Sequence, residues 1–152
     1  MRISERNHVT KEPPSTLIGI RLLVVFFSFG TLMSSLTIFL LLFPKTILEP
    51  LWRLNPDAHA AFQSLGRWSI FSMIVVGAAC ASAAAGLAKR AVWGWRLAIA
   101  VLVINGLGDT INAVARHDPR TLIGIPVAGA LIMYLVSKRN LFANGTGTQN
   151  LP

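Results

Sequence analysis

The sequence predicts an all-α polytopic membrane protein: four transmembrane helices, with a short interfacial helical segment between the first and the second. Three observations carry this. The 152 residues are 53% hydrophobic and only 13% charged, with a mean hydropathy of +0.59, more apolar surface than one small soluble core can hide. The run 22–43, LLVVFFSFGTLMSSLTIFLLLF, contains no charge, and at about 1.5 Å per residue its roughly 33 Å matches a hydrocarbon layer of about 30 Å. The later apolar runs are separated by short basic or proline-containing turns that carry helix-start signals.

Residues 1–15, MRISERNHVTKEPPS, are polar and mixed in charge, as suits a flexible arm leading into a transmembrane domain over 16–139. The first span is predicted at about 18–43. Its apolar stretch is too long for a signal peptide and has no small-x-small cleavage site, so it is expected to remain as an anchor, with Arg21 reaching back to headgroups.

The connection that follows carries Ile47, Leu48, Leu51, Trp52, Arg53 and Leu54, a composition suited to the interface. Asn55-Pro56-Asp57 then reads as a helix start. Asn is a good N-cap, Pro is preorganised for the first helical position, and Asp complements the positive end of the helix dipole. A helix from Pro56 is expected to continue into the second span, at about 67–87.

The later half of that span, GAACASAAAG, is nearly all small residues. Gly77, Ala81 and Ala85 recur every four positions, with Ser82 and Gly86 in the adjacent row, which predicts close helix packing of the small-xxx-small kind. The second helix is therefore the expected centre of the bundle.

A basic turn, Lys89-Arg90, leads to Trp93, Trp95 and Arg96, two indoles and a cation expected to anchor the third span (about 93–114) at the interface. His117-Asp118-Pro119-Arg120 opens a fourth span at about 120–137, short and containing Pro126, which is expected to kink it. The tail 140–152 is polar, and its Asn144-Gly145-Thr146 triplet is only a weak match to a glycosylation acceptor.

The fourteen Lys and Arg residues divide by side. Arg2, Arg6, Lys11, Arg21, Lys89, Arg90, Arg96, Lys138 and Arg139 share the side of the termini; Lys45, Arg53, Arg67, Arg116 and Arg120 lie opposite. Nine against five points to cytoplasmic N- and C-termini in a multi-pass inner-membrane protein. The net charge of +8 is interleaved with apolar runs, which indicates membrane lipids and not nucleic acid as the partner.

Within the third span, INGLGDTINAV (104–114) places Asn105, Asp109 and Asn112 at i, i+4 and i+7, one face of a helix. Asp109 falls roughly 7 to 8 Å inside the far end of the predicted span. An ionised carboxylate facing lipid there costs about 2.5 to 3.5 kcal/mol, so the stripe should face protein or a hydrated cavity. Two roles are open: hydrogen bonding to serines of the second helix, such as Ser69, Ser72 or Ser82, or a proton or cation site. A span boundary closer to Asp109 would instead leave it in interfacial water.

Other chemistry finds no support. Cys80 is the single cysteine, which excludes an intrachain disulfide, a CxxC pair and a cysteine-based zinc site. His59 and His117 lack metal-ligand spacing, no phosphate- or dinucleotide-binding glycine motif is present, and Ser64 and Ser69 have no convergent base. No catalytic constellation and no cofactor are expected.

The segments WGWRLAIAVLVINGLGD (93–109) and DPRTLIGIPVAGALIMYL (118–135) resemble small four-helix integral membrane proteins of bacteria, a family of unknown function; the helix count is also similar to DoxX-like proteins in architecture. The resemblance implies a bacterial inner membrane and no particular activity. The expected role is non-catalytic assembly, with a second copy or a membrane partner packing on small-residue helix faces. The alternative is a small oligomeric proton-coupled transporter or ion-conducting protein using Asp109.

Overall fold

The computed structural model describes residues 14–44, 46–116 and 124–143. Residues 1–13, 45, 117–123, where the fourth span is expected to open, and those from 144 lie outside the described residues. The described elements are helical throughout: α1 (Pro14–Leu42), a 3₁₀ helix (Glu49–Leu54), α2 (Pro56–Leu65), α3 (Arg67–Ala88), α4 (Val92–Arg116), α5 (Gly124–Ser137) and α6 (Asn140–Ala143). Three of them contain stretches long and apolar enough to cross a membrane: Ile18–Leu42, Arg67–Ala88 and Val92–Ile111. α5 is apolar but only 14 residues long.

α1 shows the apolar exposure typical of these helices. Ile20, Leu23 and Phe27 are buried, whereas Leu22, Val25, Phe29 and Leu32 are exposed. The first set faces α3. The second, at helical spacing, presents a continuous apolar face suited to lipid or to another apolar surface.

α1 and α3 run antiparallel along a seam of small residues. Gly30 meets Cys80 and Ser34 meets Gly77, so rising numbers on one helix pair with falling numbers on the other. A Cβ on either glycine would come to 3.2 Å from its neighbour, closer than ordinary contact. Cys80 is buried there, and no other cysteine lies within the chain to pair with it.

The seam on α3 passes through Gly77, Cys80, Ala84 and Leu87, with Ala83 and Gly86 buried beside it. It does not follow the four-residue rows of the sequence, because Ala81, Ser82 and Ala85 are exposed. The reason is helical geometry. Four residues advance about 40° beyond a full turn, so the row from Gly77 drifts about 80° off the seam by Ala85, while alternating steps of three and four hold the line.

The helix from Pro56 does not continue into α3. Asn55 caps α2 as expected, its Oδ1 accepting from the Ala58 N–H at 3.1 Å, but the chain breaks at Gly66 with φ 55° and ψ −126°. That conformation is open to glycine because it lacks a Cβ. Ser69, buried one turn into α3, turns its hydroxyl back to the Gly66 carbonyl at 2.5 Å and so satisfies the junction.

α3 and α4 form a tight hairpin, and α4 packs in turn on α5. Leu87, Ala98, Leu102 and Leu135 close the core between them. α5 reaches back to α1 through Tyr134, whose ring occupies the space a side chain at Gly19 would need. Pro126, expected to kink the fourth span, is the third described residue of α5; residues 121–123 before the helix lie outside the described residues. The first residues of the expected polar tail fold as α6, and Phe142 inserts into the core at 1% exposure.

Candidate intramembrane polar site

Asn105 and Asp109 stand one turn apart on α4 and line a single cavity of about 340 Å³. Phe26 of α1, Leu102 of α4, and Gly124, Val127 and Ala128 of α5 complete its wall. The two polar side chains therefore enter a space shared by three helices. Asn105 is exposed at the mouth and Asp109 is half-buried.

The Asp109 carboxylate lies directly over Gly124, and its Oδ2 occupies the place a Cβ at that glycine would take. A side chain at Gly124 would displace the carboxylate, so glycine serves contact there and not backbone conformation. The arrangement directs the carboxylate at α5 instead of the small-residue helix: the Ser69 hydroxyl is engaged with Gly66, and Ser72 and Ser82 are exposed.

Around the pair, α4 is thinly covered by the described residues. Thr110 donates its hydroxyl to the Gly106 carbonyl at 2.7 Å, within its own helix, and nothing lies within 4 Å of where a Cβ at Gly108 would project. Asn112 continues the stripe on the α4 backbone; its side chain lies outside the described residues. A cavity whose described lining includes an amide and a carboxylate can hold a proton or a hydrated cation, or accept a polar group from a neighbouring helix.

The interface anchors separate into two roles. Trp93 is exposed and its ring edge rests near Gly86. Trp95 is partly buried and donates its indole N–H to the Leu135 carbonyl at 2.8 Å. That carbonyl belongs to the last turn of α5, where the Arg139 N–H bonds to Val136 instead. Trp95 thus satisfies a helix-end acceptor and ties α4 to α5. Arg96 is exposed.

A second polar cluster sits at the other end of α1, between α1 and α2. Trp52 stacks on His59, with ring centroids 4.6 Å apart and planes 13° from parallel, and the Gln63 amide is 3.1 Å from His59 Nε2. Glu49 and Arg53 line the adjoining groove of about 610 Å³. Sequence reading placed Trp52 and Arg53 at the interface but did not join them to His59 and Gln63. Trp52 and His59 lie in different helices, and only the turn at Asn55 brings their rings together.

Among the described residues no three His, Cys, Asp or Glu side chains approach closely enough to hold a metal ion; His117 and Asp118 lie outside them. The Ser64 hydroxyl donates to the Ala61 carbonyl at 2.8 Å, as Ser69 does to Gly66, so both are engaged with their own backbone. No protein-family model, curated protein or solved structure matches the chain, and the chemistry of the site rests on its own residues.

Proposed function

We propose that the chain is a non-catalytic assembly or accessory protein of the bacterial inner membrane, of the kind represented by the small four-helix proteins it resembles. α5 is the fourth crossing, and both termini are cytoplasmic. Arg139 and Lys138 at the end of α5 extend the reach of its roughly 21 Å to the headgroups. Cysteines introduced singly near residue 5 and in the Glu49–Leu54 segment, in a Cys80→Ser background, test this topology. Labelling of both from the same side of sealed vesicles overturns it.

One observation carries the assembly role. Ala81, Ser82 and Ala85 form an exposed small-residue face on α3, while the faces beside it are occupied by α1 and α4. Such a face lets a helix of a second copy or a membrane partner approach closely. Ala81→Leu and Ala85→Leu should weaken association, read by energy transfer between labelled copies and by cross-linking in native membranes. Because both positions are exposed, folding is unaffected; association that survives the double substitution removes this reading.

The second reading is a small oligomeric proton- or ion-conducting unit, supported by the placement of Asn105 and Asp109 in one cavity. Asp109→Asn would abolish flux in proteoliposomes with the fold intact. Unchanged flux removes Asp109 from the mechanism.

A further inference from the structure

A groove of about 460 Å³ lies where the start of α1 meets the α3–α4 turn, walled by Ile20, Arg21, Val24, Val25, Ala88 and Arg90. Among the described residues its lining combines two guanidinium-bearing side chains with an apolar floor. Both arginines stand toward one end of the antiparallel α1–α3 pair, Arg21 three residues into the apolar stretch from Ile18 and Arg90 two residues beyond the end of α3.

The backbone at Arg90 adds an independent observation. α3 ends in a turn in which the Ala91 N–H donates to the Gly86 carbonyl at 2.9 Å and the Arg90 N–H to the Leu87 carbonyl at 3.0 Å. The residue between these bonds must be left-handed, a place usually taken by glycine. Here it is Arg90, with φ 51°, the one non-glycine residue with positive φ among those described. A cation held in a backbone conformation that disfavours any side chain points to a use for that side chain.

We infer that this groove binds one anionic phospholipid of the adjoining leaflet, its phosphate between Arg21 and Arg90 and an acyl chain along Val24 and Val25. Guanidinium groups match phosphate oxygens in pairs, and basic pockets between transmembrane helices suit acidic headgroups. The positive charges and the apolar floor together fit a lipid better than a soluble phosphate, which would leave the floor uncovered. The proposal rests on the membrane reading and is independent of the assembly role.

The test uses the full chain in nanodiscs of phosphatidylcholine with a minor share of phosphatidylglycerol, counting retained anionic lipid by native mass spectrometry. Arg21→Gln and Arg90→Gly should each reduce retention about fivefold, the factor corresponding to the roughly 1 kcal/mol expected for one basic residue at an anionic surface. Arg53→Gln, elsewhere in the fold, should leave retention unchanged. Melting temperatures of all variants in phosphatidylcholine alone separate lost retention from misfolding: Arg21→Gln, at an exposed position, should melt with the wild type while retaining less anionic lipid.

Equal retention in all variants overturns the site. Stabilisation in phosphatidylcholine by millimolar inorganic phosphate, lost in the two variants, overturns the lipid in favour of a soluble anion. Retention that appears only after removal of residues 1–12 assigns the groove to Glu5 or Glu12 of the arm and overturns it equally. A chain that leaves the discs altogether overturns the membrane reading and this proposal with it, whereas failure confined to the lipid count overturns this proposal alone.

Discussion

Gly86 and Gly94 face each other across the α3–α4 hairpin so closely that a Cβ on either would collide with the other's backbone. The contact sets the distance between the two helices at the point where the chain reverses. It also accounts for how a turn of only three residues, 89–91, can join them. Any side chain here must separate the helices, and the Schellman-type bonds at the end of α3 leave little slack to do so.

Gly86→Ala and Gly94→Ala should each destabilise the fold by about 1 to 3 kcal/mol, the usual cost of overpacking. Gly108→Ala is the matched control, since no described residue lies within 4 Å of its new methyl group; it should be neutral or stabilising by up to about 1 kcal/mol. Thermal unfolding in one detergent compares the three. Equal melting temperatures for all would show that the hairpin relaxes freely.

Trp95→Phe keeps most of the packing and removes the indole N–H that bonds to Leu135. A loss of about 1 kcal/mol is expected, and hydrogen exchange should accelerate at the last turn of α5 before it does elsewhere. Trp93→Phe at the exposed neighbouring position should show no such local change. Matching exchange profiles for the two variants would mean that the bond contributes nothing to holding α5.

At Gly66 the cost of a side chain is conformational, because φ is 55° while the surrounding space is open. Gly66→Ala is expected to destabilise by about 1 to 3 kcal/mol, or to straighten α2 into α3 and shift the Trp52–His59 stack. Fluorescence of Trp52, isolated by replacing Trp68, Trp93 and Trp95 with Phe, reports the second outcome. Unchanged stability together with unchanged fluorescence would contradict the observed break.

Cys80 supplies a built-in probe of the α1–α3 seam. At 5% exposure and against Gly30, it should react with a membrane-permeant maleimide only when the helices part. Gly30→Val pushes on the thiol and should raise the labelling rate about tenfold or more, a factor reached for each 1.4 kcal/mol of eased opening. Rapid labelling of the unaltered protein would place Cys80 outside a packed seam.

The polar pair was legible in the sequence as a stripe, since Asn105 and Asp109 recur at helical spacing within an apolar run. Which helix the stripe faces was not. The serines of α3 offered more hydrogen-bonding groups than α5, yet Asp109 lies against Gly124, a residue with no side chain to advertise the contact. A partner recognised by the space it leaves open cannot be read from residue chemistry.

Composition and periodicity alone determined that this chain forms apolar helices long enough to cross a membrane, because hydrophobic length and the cost of unpaired backbone in lipid are local properties. The Asn55 cap was likewise local, a side chain bonding three residues ahead. Tertiary structure decided what depends on angles summed over several turns: which small residues of α3 meet α1, that Ala81, Ser82 and Ala85 face outward, and that Phe142 enters the core. It also placed Arg21 beside Arg90, 69 residues apart in the chain, because antiparallel packing of α1 on α3 returns the end of one helix to the start of the other.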